Sequence, residues 1–174
     1  MKYFVAEANS GFYQPQLKNW YHILNPKLVS ECRYGEIPRS LTFKVESNPR
    51  VFVSDVISFP YFMISYDAES IIKKYDSTFL SCRIHIFDRE NKNSKLFLLP
   101  FLESVDCLAQ GTVYRKDHLD VVQPVMSLGK TGGLQLFRPK GFSLKKIVVS
   151  LEMVESLLRR GIRGLSLTEI ELVV

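Results

Sequence analysis

The chain has 174 residues, 46% hydrophobic and 24% charged, with three cysteines and a formal net charge of +5. That length suits one domain with a full core, and the composition excludes disordered and collagen-like chains. No apolar run approaches the roughly 20 residues that span a bilayer.

Glu7 comes too early for the first residues to act as a signal peptide. Cys32, Cys82 and Cys107 are odd in number and widely spaced, which points to free thiols in a reducing compartment. A cytoplasmic protein is therefore expected. A basic balance fits nucleic acid or an acidic protein partner. The cations come only as small groups: Lys73-Lys74, Lys92 with Lys95, Lys145-Lys146 and Arg159-Arg160. A dense basic stripe interleaved with aromatics is missing, which argues against nucleic acid.

In chain order, Lys2–Ala8 reads as an opening strand and Asn9–Pro15 as a turn. Trp20-Tyr21-His22-Ile23-Leu24 is a short aromatic strand candidate ended by Asn25-Pro26. Leu41–Val45 alternates like a half-exposed strand. Residues 1–60 hold no long periodic helix and read as a β-rich N-terminal lobe. From Tyr61 onward the pattern sharpens. Phe62-Met63-Ile64 is a buried strand candidate, and Ser65 or Asp67 can cap a helix carrying Ala68, Ile71, Ile72 and Tyr75 at helical spacing. In the next strand Leu80, Cys82, Ile84 and Ile86 share the buried face. Asp88–Ser94 is long for a tight hairpin, so a flexible tip is expected before the apolar strand Lys95–Leu102. Short strand candidates follow at Thr112–Tyr114, Val121-Val122 and Leu134–Phe137, with a glycine-rich loop at Ser127–Gly133.

The last thirty residues are the clearest. Lys146–Val149 is a β-branched strand, Ser150 a good N-cap, and Leu151, Val154, Leu157 and Leu158 one helical stripe. Gly161 stops the helix, and Leu165–Val174 returns as a strand. Its apolar residues change face between Leu167 and Ile170, which calls for a bulge near Thr168-Glu169. This unit resembles the earlier one: Met63-Ile64-Ser65 leads to Glu69–Lys74 as Val148-Val149-Ser150 leads to Glu155–Arg160. The expected fold is α+β, mostly antiparallel or mixed sheet, with two main helices each in a strand-helix-strand unit.

The order of these segments resembles the DUF1629-type immunity proteins of bacterial polymorphic and contact-delivered toxin systems. The segments that carry the likeness are Phe62–Ser65 with its helix, Lys95–Leu99 running to Val105–Leu108, Leu136–Arg138, and Ile147–Ser150 with its helix and final strand. The likeness covers Tyr61–Val174, and departs where Ala109 stands in place of an expected acid. It implies a non-catalytic antitoxin that occludes one cognate toxin domain and needs no cofactor or metal.

Chemical motifs compete weakly. Gly129-Lys130-Thr131 has Pro124 where a phosphate-binding loop needs its first glycine. Cys82 and His85 fall on opposite strand faces, which disfavours zinc. Asp117, His118 and Asp120 form a polar loop whose simplest reading is a solvated one. For a binding module, aromatic and arginine anchors are the natural candidates. Phe12, Tyr13, Trp20 and Tyr21 form one cluster, and Tyr114, Arg115 and Lys116 another. The net positive charge suits a toxin with an acidic surface. The alternatives are a small enzyme built from residues distant in sequence, and a nucleic-acid-binding or regulatory module.

Overall fold

In the computed structural model, which describes residues 1–174, the fold is α+β. The first stretch contains β1 (Tyr3–Ala8), α1 (Trp20–Ile23), α2 (Pro26–Ser30), β2 (Ser40–Lys44) and β3 (Val56–Ile57). Then come β4 (Met63–Ser65), α3 (Glu69–Tyr75), β5 (Ser81–Asp88), β6 (Asn93–Pro100) and β7 (Ser104–Val105). The remainder is β8 (Val113–Tyr114), β9 (Val121–Gln123), β10 (Val125–Ser127), β11 (Leu136–Pro139), β12 (Ile147–Ser150), α4 (Leu151–Arg159), β13 (Leu165–Glu169) and β14 (Glu171–Val173).

Two five-stranded sheets organise these elements, with strand orders β13-β1-β12-β11-β7 and β2-β5-β6-β4-β3. The two main helices sit in units of the same topology. In the first, β4 and β5 both run antiparallel to β6, which lies between them. In the second, β12 and β13 both run antiparallel to β1 between them. Each is a split β-α-β unit, with a foreign strand inserted between its two parallel strands. The sequence likeness of the two segments thus coincides with a shared topology.

The residues explain why each unit forms. Ser150 leaves the sheet extended, and its Oγ accepts the Met153 N–H, so α4 starts at Leu151. Met153, Val154 and Leu157 are buried, each stabilising by about 1.5–3 kcal/mol relative to exposure. Gly161, at φ 83°, ends the helix in the left-handed region. In the first unit Ser65 accepts from the Asp67 N–H and opens a single 3-10 turn that runs into α3. The helices meet where the Tyr75 hydroxyl donates to the Glu152 carbonyl at 2.9 Å.

One apolar cluster joins both sheets and both main helices, through Ala6, Val149, Ile64, Leu98, Ile71 and Met153 among others. The opposite sheet faces feed two further clusters, one around Phe43, Ile84 and Phe97, the other around Tyr3, Phe137 and Val148. Burial on both faces is why Ile147–Ser150 reads as a continuous buried run.

Three expectations need correction. Trp20–Ile23 is a helical turn and not a strand; Asn19 adopts φ 52°, and Leu24 donates back to the Trp20 carbonyl. Residues 1–60 contribute to both sheets: β1 lies inside one, while β2 and β3 edge the other. The hairpin at Asp88 is anchored, not loose. Pairing continues to Asp88 opposite Asn93, and the buried Asp88 carboxylate accepts from Asn91, Ser47 and Asn48. The final strand breaks at Ile170 in place of bulging; β13 pairs with β1, whereas β14 leaves to pair in parallel with β10. No helix is long and apolar enough to cross a membrane.

Candidate functional site

The segment Gly141–Lys146, just before β12, touches two groups of surface residues, one around Trp20 and Phe59 and one on the β8–β9 ribbon. Lys145 and Lys146 are adjacent, about 3.8 Å apart at Cα, and their side chains serve different neighbours. The Lys145 ammonium lies 5.1 Å from the Phe59 ring centroid. The Lys146 ammonium pairs with Asp120 at 3.0 Å and donates to the Val121 carbonyl at 3.1 Å.

On the Lys145 side, the Trp20 ring meets Phe59 and Tyr21 edge-on at 5.6 Å each, and Tyr61 at 5.9 Å. Tyr61 is buried, with its hydroxyl donating to the Leu24 carbonyl, so Trp20 has a fixed base. Tyr21 and Phe59 stay exposed, at 56% and 47%. Trp20 is therefore half core and half surface. The helical turn of α1 presents Tyr21, which a strand reading does not foresee. Tyr13 belongs to a separate contact: its ring sits beside the Arg50 guanidinium at 5.9 Å.

On the Lys146 side, β8 and β9 form a two-stranded ribbon. Its surface carries Val113, Tyr114, Leu119 and Val122, the last two 69% and 63% exposed. Arg115 and Lys116 are exposed near its turn. Arg115 is held by Asp117, with Nε 2.8 and 2.9 Å from the two carboxylate oxygens. The ribbon is fixed at its base. Buried Asp120 accepts the N–H groups of Val121 and Ser143 at 2.9 and 3.0 Å as well as pairing with Lys146. Burial pushes the Asp120 carboxyl up, but these donors outweigh it and hold the group below the usual carboxylate range. The acid–base grouping of Asp117, His118 and Asp120 is thus dissolved, since the two acids serve different cations.

Of the predicted residues, Trp20 and Tyr21 lie with Phe59, Tyr114, Arg115 and Lys116 lie on the β8–β9 ribbon and its turn, and Tyr13 is placed with Arg50. Sequence reasoning missed Phe59, Lys145, Leu119 and Val122. An aromatic in Ser58-Phe59-Pro60 was a usable signal. No local pattern could show that Lys145 and Lys146 part toward different anchors. No group of three or more His, Cys, Asp or Glu side chains is arranged to hold a metal ion.

No protein-family model matches this chain. Nor does any curated protein show significant sequence similarity to it. Aromatics, cations and exposed aliphatics on these elements are the raw material of a protein interface.

Proposed function

We propose that this protein is a cytoplasmic immunity protein that binds one toxin domain stoichiometrically and occludes it without turnover. The observation that carries the reading is the junction at Lys145-Lys146, which joins the Trp20–Tyr21–Phe59 corner to the Tyr114 ribbon. One partner's share of a standard interface is about 800 Å², or roughly 30 Å across. The reading requires one footprint of that size to reach both clusters. Both are backed by buried anchors, Tyr61 on one side and Asp120 on the other, so little ordering entropy is lost on binding. The net charge of +5 supports an acidic partner surface, because complementary fields speed encounter and exclude wrong partners.

The test is co-expression with the product of the adjacent upstream gene. A one-to-one complex and protection of cells making that product are expected. Tyr21→Ala and Tyr114→Ala should each weaken binding about tenfold or more, as anchor truncations do. A folded protein that neither binds the product nor protects the cells overturns the antidote reading. Full binding by the double variant removes this face from it.

A further inference from the structure

A long groove runs past the C-terminal end of α3, built from residues outside the Trp20–ribbon face. It consists of three adjoining concavities of about 760, 500 and 180 Å³. The first two share Tyr34, Phe79, Leu80 and Phe101. The second and third share Asp76, Thr78 and Glu103. Three linked concavities, open to solvent along their length, suit an extended polypeptide better than one enclosed small molecule.

Its middle is apolar and fixed. The Tyr34 and Phe101 rings stack at 4.5 Å, inclined by 13°. The Tyr34 hydroxyl donates to the Leu102 carbonyl at 2.8 Å and accepts the Leu102 N–H at 3.1 Å, so this ring cannot swing. Leu80 stands beside the pair with 67% of its surface exposed. It belongs to the alternation that ought to bury it, yet it precedes the first paired residue of β5 and projects at the groove. An exposed leucine lining the same concavity as a stacked pair of rings is an anchor position.

The ends of the groove carry opposite charge. Arg39, Arg83 and Lys73 line one end. Lys73 is engaged by Glu69 at 3.1 Å, but neither Arg39 nor Arg83 has a carboxylate partner, and Arg83 merely lies 5.5 Å from the Tyr66 ring. Asp76 and Glu103 line the other part, and neither has a cation partner. Asp76 Oδ1 instead accepts from the Thr78 N–H and hydroxyl at 2.9 and 2.6 Å. Unpaired charges of opposite sign at the two ends of an apolar channel give its occupant a direction.

We propose that this groove docks an extended segment of a partner protein. The segment places acidic side chains at Arg39 and Arg83, an apolar side chain against Leu80 and Phe101, and a basic side chain at Asp76 and Glu103. The proposal does not depend on the antidote reading, because it uses other residues and its test needs no toxin.

The test is selection of random displayed peptides about 12 residues long, some 40 Å when extended, on the immobilised full chain. Enriched peptides should carry acidic and basic residues on opposite sides of an apolar one. Arg83→Glu, Glu103→Lys and Leu80→Ser should each lower the affinity of a synthetic copy about tenfold. These three positions are exposed, and circular dichroism checks that each variant folds. A peptide with its charges exchanged should bind the Arg83→Glu/Glu103→Lys double variant better than it binds the parent. Enriched peptides with no charge order, or affinities that ignore all three substitutions, overturn the proposal. So does a groove that binds single-stranded RNA and selects no peptide, or a dimer in solution that Leu80→Ser dissociates, which would make a second copy the occupant.

Discussion

Lys146 binds Asp120 at 3.0 Å, and by that pair the strand entering the second split unit holds the β8–β9 ribbon. Asp120 also serves the Val121 and Ser143 N–H groups. Removing the carboxylate leaves these donors unpaired and a largely buried ammonium with only the Val121 carbonyl. Asp120→Ala should therefore cost about 1–3 kcal/mol. Hydrogen exchange should quicken over Val113–Gln123 and stay slow in β5 and β6. Unchanged exchange in the ribbon would contradict this anchoring.

The same carboxyl sets a pH dependence. Its value in the fold lies below the usual range, so its stabilisation is in force above the unfolded value of about 3.9 and fades as pH falls through the folded value. The difference in Tm between the parent and Asp120→Asn should hold steady from about pH 7 to 5 and shrink below about pH 4. A gap that persists at about pH 2 would refute the assignment.

Tyr75 ties the helices of the two units. Its hydroxyl donates to the Glu152 carbonyl and also bonds with the Ser156 hydroxyl. Tyr75→Phe should lower urea-unfolding stability by about 1 kcal/mol. Together with Ser156→Ala the losses should fall short of additive by about 0.5 kcal/mol or more. Strict additivity would show that the two hydroxyls act separately.

Gly164 sits at φ 87°, where an added Cβ would lie 2.1 Å from Ser54 Oγ and 3.0 Å from Ser54 Cβ. Backbone strain and overpacking combine there, so Gly164→Ala should cost about 3 kcal/mol. Ser54→Gly clears the clash but leaves the backbone strain. In that background the same substitution should cost measurably less, as a double-mutant thermal series will show. Equal cost in both backgrounds would assign the whole effect to the backbone.

The thiols should react unequally. Burial pushes the Cys82 and Cys107 thiols up to about 11, while Cys32 is half-exposed at the groove. A thiolate reagent at about pH 8 should label one cysteine in the native protein and all three after denaturation. Rapid native labelling of Cys82 or Cys107 would place them outside the core.

Local signals made the second split unit readable. Ser150 accepts a backbone N–H, the Leu151–Leu158 stripe supplies a buried face, and Gly161 has positive φ. The Ile170 change of face was visible too, although alternation could not tell a bulge from departure to a new partner strand. Trp20–Leu24 misled because aromatic and β-branched residues favour strands, and a four-residue helical turn has too few positions to show its period. Leu80 misled because alternation says nothing of where pairing begins. The meeting of Phe59, Lys145, Lys146 and Asp120 depends on segments more than twenty residues apart, so only tertiary structure could reveal it.

β1 pairs with Ile147–Ser150 on one side and Leu165–Glu169 on the other, so its sheet cannot close until the chain has grown by roughly 160 further residues. At ribosomal speeds of about 5–20 residues per second, that leaves a nascent apolar ribbon without its full pair of neighbours for about 8–32 s. During that interval Tyr3, Val5 and Ala6 are bare to other nascent chains, and a chaperone that shelters them should raise the yield of folded protein more than one acting on the finished polypeptide.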